Sequence, residues 1–265
     1  MRFLISKIIS QLVIAAVFAA VISAQVLPTA SSFVGEKLSF DAKGGKSIIH
    51  GLDVGEVTFS FDKDASTGNY LVRSNARSKG SFTKMFGLTV VQEYETLIDS
   101  KTFDVLRTSK HDVQRDRIRN SVADFNYAEH RVTFVETDPN DPNRAPRKIA
   151  SDITSPLNDL VSGLYRIRTM PLSVGRSFKI DVSDTGIVYS IPVKVVAREQ
   201  LKTALGKVWA FRVEPEIFGI GHLIEQKGSM SIWITDDEKR IPVRALIKIK
   251  WGKVDVKIRS VEKLT

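Results

Sequence analysis

Gly55-Glu56-Val57-Thr58-Phe59-Ser60-Phe61 sets the fold class, because its apolar residues fall at every second position. Strand side chains alternate between two faces, so Val57, Phe59 and Phe61 share one face while Thr58 and Ser60 share the other. The same period returns where Met230, Ile232 and Ile234 alternate with Ser231, Trp233 and Thr235. Gly44-Gly45, Thr67-Gly68-Asn69, Ser183-Asp184-Thr185-Gly186 and Thr235-Asp236-Asp237-Glu238 punctuate the runs with residues that turn the chain. The spacing predicts roughly a dozen short strands. The expected fold is mainly β, a curled antiparallel sheet or partly closed β-barrel with one helix packed across it.

Two stretches break the alternation. Thr137 to Pro146 is polar and rich in proline, as a surface loop is. From Asp152 to Arg168 the period changes, and Leu157, Leu160, Val161, Leu164 and Ile167 fall at helical spacing. Ser155 is the expected N-cap and Pro156 the first helical residue, with Asp159 in about the first turn. A single β-rich domain over 33–265 is expected, its halves at 33–146 and 171–265 joined by a loop and helix at 147–170. Val34-Gly35 and Val174-Gly175 each read as a turn glycine feeding an alternating strand.

Residues 1–24 read as a signal peptide. Arg2 and Lys7 precede an apolar run from Ile8, and Ile22-Ser23-Ala24 offers a cleavage site. The run is long enough to approach a membrane anchor, but Pro28 and the small residues at 29–32 favour cleavage and a linker over 25–32. No second run this apolar follows, so no transmembrane span is expected after cleavage. Removing the segment lowers the formal charge from +9 to +7. An exported chain, periplasmic or secreted, has little occasion to meet nucleic acid. Its basic balance points instead to anionic lipid headgroups or acidic glycans.

Several chemistries are excluded or weakened by the same reading. The absence of cysteine rules out disulfides, thiol catalysis and a cysteine-linked lipid anchor. His50, His111, His130 and His222 show no metal-ligand spacing, and no serine sits in a G-x-S-x-G elbow. Gly44-Gly45-Lys46-Ser47 ends like a phosphate loop, but Phe40 stands where the first glycine is required. Asp236-Asp237-Glu238 is neutralised at once by Lys239-Arg240 and reads as a hairpin turn. No cofactor and no metal is expected, and no catalytic residue is assigned.

Four stretches carry a resemblance. They are Phe33-Val34-Gly35-Glu36-Lys37-Leu38-Ser39-Phe40 with Gly55-Glu56-Val57-Thr58-Phe59, and Asn158 to Arg168 leading into Leu172-Ser173-Val174-Gly175. The others are Ile232-Trp233-Ile234-Thr235 through Val243, and Trp251-Gly252-Lys253-Val254. In this order the chain resembles the bacterial domain-of-unknown-function family numbered 3108. The resemblance implies an exported β-rich domain and carries no established activity, so no functional residue transfers from it.

Candidate contacts come from surfaces. Met85, Phe86 and Leu88 form an apolar patch beside Lys84 if they tip a loop, and core if they end a strand. Tyr165 and Arg168 on the helix are placed to plug one opening of a curled sheet, though covering an apolar face is the commoner role. Phe218 and His222 flank two glycines that let a backbone approach a ligand, or that simply make a bulge. In the last hairpin Ile247, Ile249, Trp251, Val254, Val256 and Ile258 share one face. Lys248, Lys250, Asp255, Lys257 and Arg259 lie on the other, mostly cationic, face, which either guards an edge or docks an anionic envelope component. The reading is a non-catalytic envelope protein that binds a hydrophobic or amphipathic, lipid-like ligand. An envelope assembly or interaction protein acting through the basic outer face is the alternative, with a glycan or ester hydrolase behind it.

Overall fold

The computed structural model describes residues 27–46, 49–80, 89–250 and 252–263. The expected signal peptide and the patch Met85, Phe86 and Leu88 lie outside the described residues. A 3-10 turn, Ala30–Phe33, leads into eight strands: β1 Glu36–Lys46, β2 Ile49–Lys63, β3 Tyr70–Ser78, β4 Val90–Ile98, β5 Val105–Gln114, β6 Arg117–Asn126, β7 Arg131–Thr137 and β8 Arg147–Asp152. Helix α1, Leu160–Thr169, follows. Six more strands follow among the described residues: β9 Ser177–Asp184, β10 Ile187–Thr203, β11 Gly206–Pro215, β12 Gly228–Thr235, β13 Pro242–Ile249 and β14 Gly252–Lys263.

All fourteen strands belong to one antiparallel sheet, ordered β8-β7-β6-β5-β4-β3-β2-β1-β14-β13-β12-β11-β10-β9. Each half is a meander, and the halves join where the first strand pairs with the last, as in Leu38 opposite Val261. The expected curled, incompletely closed sheet is what the chain forms. Its ends, β8 and β9, are not hydrogen-bonded to each other.

Closure comes from side-chain contact. The β9–β10 turn carries Gly186 at φ +80°, packed so closely on the opposite end that a Cβ there would lie 2.7 Å from Cβ of Phe134 and 3.2 Å from Cβ of Ile149. The free edge of β9 is partly covered by the approach to α1. Asn158 N–H donates to the Asp181 carbonyl at 2.9 Å, and Ser183 N–H donates to that of Asn158 at 2.8 Å.

These bonds correct the expected start of the helix. They hold Asn158 extended alongside β9, and the Ser155 hydroxyl donates to the Asp181 carboxylate rather than capping a helix. The cap is Asp159, whose carboxylate accepts from Ser162 N–H while the Ser162 hydroxyl accepts from Asp159 N–H. The first half also runs further than expected, because 147–152 forms β8.

The registers sort the turns to two ends. The β5–β6, β9–β10, β11–β12 and β13–β14 connections lie at one, termed here the flap end. The β2–β3, β6–β7, β10–β11 and β12–β13 connections lie at the other, the helix end, where the C-terminal turn of α1 packs. There Phe33, Phe61, Tyr70, Phe103, Leu157 and Tyr165 belong to one buried cluster, with the Phe61 ring 5.0 Å from that of Tyr165. A second cluster joins Ile167 and Leu172 to Ile180, Val193, Phe211 and Ile234. Among the described residues no helix is long and apolar enough to cross a membrane.

Candidate functional site

The alternation read in the sequence leaves the concave side of the curl apolar but not filled. A cavity of about 400 Å³ runs from α1 to the β11–β12 loop. Phe40, Val57 and Phe59 line it from β1 and β2, and Ile191, Met230, Ile232, Ala245 and Ile247 from the second half. Leu160, Gly163, Leu164 and Ile167 of α1 form another wall. The helix thus covers part of the concave face and leaves the rest as a chamber, because its ten residues are too few to span the sheet.

A second, polar chamber of about 240 Å³ adjoins the first and shares Tyr94, Asp159 and Leu160 with it. Its wall comes from the concave faces of β5 to β8 and the β9–β10 turn, including Lys110, Asp112, Arg117, Glu136, Arg147 and Asp184. Asp112, only 4% exposed, accepts from Gln92 at 2.8 Å and from Arg117 at 3.0 Å. Burial works to raise its carboxyl, but Gln92, Lys110, Gln114 and Arg117 outweigh it and hold the group below its ordinary range. Asp159 is occupied with the helix cap and with the Thr96 hydroxyl, 2.5 Å away.

Lys110 and Asp184 differ from these. Lys110 Nζ stands 4.8 Å from the centre of the Tyr94 ring. Burial opposes its charge, yet Tyr94, Asp112 and Asp184 more than offset this and tighten its hold on the proton. Asp184 has its carboxyl raised above the ordinary value, chiefly by burial and further by Asp159, with Lys110 and Arg147 opposing. The apolar cavity thus borders a polar chamber that holds a half-buried ammonium.

The sequence-predicted residues fall into three places. Tyr165 and Arg168 lie in the helix-end core, away from the cavity: Arg168 grips Glu36 and Tyr165 packs on Phe33 and Phe61. Phe218 and His222 brace the β11–β12 loop, whose Ile217, Leu223 and Ile224 line the apolar cavity. The Phe218 ring lies over Gly228, 2.6 Å from where a Cβ would stand, and His222 Nδ1 is 2.8 Å from the Glu216 carbonyl oxygen. A cleft of about 350 Å³ brings Glu214, Glu216 and His222 together. Its carboxylates are engaged, Glu216 with Lys194 at 2.5 Å and Glu214 with the Ser231 hydroxyl at 3.1 Å.

Lys248 and Lys250 stand exposed at the flap end, beside Lys227 in one groove. Lys257 lies midway along the outer face, where the hairpin's cations meet Asp255 of the hairpin itself and acids of the neighbouring strands β1 and β2. Asp255 takes Arg244 at 2.7 Å and Lys257 at 3.4 Å, and Arg259 bridges Asp41 and Glu56 at 3.2 Å each. Cross-strand pairing of opposite charges, repeated at Arg73–Glu95 and Arg77–Glu93, makes the outer face a mixed ladder.

Sequence reasoning missed Tyr94, Lys110, Asp184 and the cavity lining. One signal was available: Arg107-Thr108-Ser109-Lys110-His111-Asp112 is polar at both parities, so β5 has no apolar face to bury. Among the described residues no cluster of His, Asp and Glu is arranged to hold a metal ion.

Comparison with known proteins places the chain at the level of family and fold. Residues 39–259 match the family described as protein of unknown function, DUF3108, and the chain belongs to it. A crystal structure of a β-barrel-like protein of the unknown-function family DUF1849, from Brucella abortus, aligns at a TM-score of 0.59 with 10% identity. The alignment covers 88% of this chain and 99% of that one, so the two share a fold. A protein from Bacteroides fragilis with a YmcC-like fold aligns over 91% of this chain and 100% of its own, with 9% identity and a TM-score of only 0.37. No curated protein matches the chain.

Proposed function

We propose that this protein is a non-catalytic carrier or sensor of the cell envelope that holds a single-chain amphipath. One observation carries the reading: an apolar cavity walled by the concave sheet and α1 adjoins a polar chamber, the two sharing Tyr94, Asp159 and Leu160. Its volume of about 400 Å³ falls within the roughly 300–1,000 Å³ of small-molecule pockets. An unbranched chain fits a trough lined by Phe40, Val57, Ile191 and Ile247, and its polar end reaches Lys110. The basic N-terminal segment with its apolar run supports export, which puts envelope lipids within reach.

The test is native mass spectrometry of residues 25–265 purified from envelope extract, followed by organic extraction of bound lipid. A stoichiometric lipid is expected, lost on Ala245→Phe, which fills the trough, and weakened on Lys110→Met. A clean mass with no uptake from envelope lipids overturns the reading. The alternative of a protein acting through its outer face is less well supported, because the middle of that face is an ion-pair ladder in which Asp255, Asp41 and Glu56 hold Arg244, Lys257 and Arg259.

A further inference from the structure

We infer that the flap end of the curl docks on an anionic lipid bilayer, with Ile220 as the inserted tip and the neighbouring lysines seated on the headgroups. The inference rests on the amphipath-carrier reading and adds where the ligand is exchanged. Ile220 is 99% exposed, more than any other large apolar residue among those described. A single exposed isoleucine is ordinary on a mobile loop, but this loop is braced. Gly219 N–H donates to the Ile224 carbonyl at 3.0 Å, Ile224 N–H to that of Ile217 at 2.9 Å, and His222 N–H to that of Gly219 at 3.2 Å.

Gly219 and Gly221, at φ +132° and +73°, let the chain turn sharply on either side of the tip. One loop therefore holds Ile217, Leu223 and Ile224 against the cavity and thrusts Ile220 outward. The apolar tip is coupled to the cavity wall by three residues of chain.

Charge selects the partner. Lys227, at the root of the loop, shares a groove with Lys248 and Lys250, and Lys253 follows across the β13–β14 turn opposite Lys248. All four are exposed. Of the acids within the loop and at its root, Glu225 is exposed and Glu216 is held by Lys194. Lys227, Lys248 and Lys253, at the same end of the sheet as this apolar tip, match the headgroup plane of an anionic bilayer, where each contributes about 1 kcal/mol and an inserted side chain adds its burial.

Flotation of residues 25–265 with vesicles tests this, using phosphatidylcholine alone and two parts phosphatidylcholine to one of phosphatidylglycerol. Binding is expected only to the anionic vesicles, and molar salt should release it. Ile220→Asp should weaken partition roughly tenfold, and each of Lys227→Glu, Lys248→Glu and Lys253→Glu at least about fivefold. Lys202→Glu and Lys207→Glu, at the helix end, should leave binding unchanged. Uptake of a fluorescent fatty acid without vesicles is measured on every variant and should not change. Failure to bind anionic vesicles, indifference to Ile220, or equal loss from the helix-end variants overturns the docking inference. Vesicle binding without fatty-acid uptake sustains docking and overturns the carrier reading instead.

Discussion

Arg168 of α1 holds Glu36 of β1 through both terminal guanidinium nitrogens, at 2.6 and 2.7 Å, in a site where the arginine is 0% exposed. The same guanidinium donates to the Lys239 carbonyl at 3.1 Å and lies 4.0 Å from the centre of the Phe33 ring. One side chain thereby ties the helix to the first strand and to the β12–β13 turn. Because β1 pairs with both β2 and β14, the tie fixes α1 against the line where the two halves join.

Removing one member of this pair leaves a buried charge without its partner. Arg168→Ala is expected to cost about 3–5 kcal/mol, read as a lower midpoint in chemical denaturation with fatty-acid binding retained below the transition. Arg168→Met with Glu36→Leu should cost less than either single change, since the apolar pair leaves no stranded charge. A double variant as unstable as the sum of the singles would show that the pair is not coupled.

Gly186 is the closing contact of the curl, and a side chain there meets two obstacles. Its φ of +80° costs an L-residue about 1–2 kcal/mol. The Cβ would also stand 2.7 Å from that of Phe134, an overpacking cost of about 1–3 kcal/mol. Gly186→Val should therefore lower stability and part β7–β8 from the β9–β10 turn. Hydrogen exchange should quicken in the edge strand β8, while Arg168 keeps α1 in place and exchange in β1 stays slow.

Much of this architecture was legible because alternation has a single cause. Val57, Phe59 and Phe61, and later Met230, Ile232 and Ile234, line the concave side as their period of two required. The order of strands was not legible, because pairing of β1 with β14 depends on contacts more than two hundred residues apart. The helix start was misplaced for a physical reason: Ser155-Pro156 is a good local start, but hydrogen bonds from Asn158 to β9 win over it. Arg168 reads from sequence as a residue placed to plug one opening, since nothing local shows that Glu36 meets it. The cavity was legible only as an apolar face, because whether facing side chains meet or leave a gap is decided by curvature.

Gly163 offers a gain in stability without loss of the cavity. It sits inside α1, where glycine costs roughly 1 kcal/mol relative to alanine. An added Cβ would lie 3.6 Å from Ile180 Cδ1 and 3.8 Å from Val182 Cγ2, ordinary contact distances. Gly163→Ala should thus raise stability by about 0.5–1 kcal/mol. Gly163→Leu should instead push into the apolar chamber that Gly163 lines and reduce uptake of a long-chain fatty acid while shorter chains still bind. Equal loss for all chain lengths would place the ligand elsewhere.

Asp184 makes stability depend on pH with a definite sign. Burial raises its carboxyl above the ordinary value of 3.8, and Asp159 adds to the shift, while Lys110 and Arg147 oppose it. Glu136 and Asp112 line the same chamber, and Arg117 already occupies Asp112. The folded protein therefore binds this proton more tightly than the unfolded chain does. The contribution is fully present below the unfolded value and is lost as pH rises through the folded one. Asp184→Asn removes the cost of carrying a charge in the chamber, so it should raise the unfolding temperature at neutral pH. The gain should shrink as pH falls below the folded value and vanish below 3.8, where the carboxyl is protonated in both states. A fixed difference across that range would mean that Asp184 acts through packing or hydrogen bonding alone. Anionic amphipaths should also bind Asp184→Asn at neutral pH more tightly than the parent, since one of the two carboxylates that act on Lys110 is then gone.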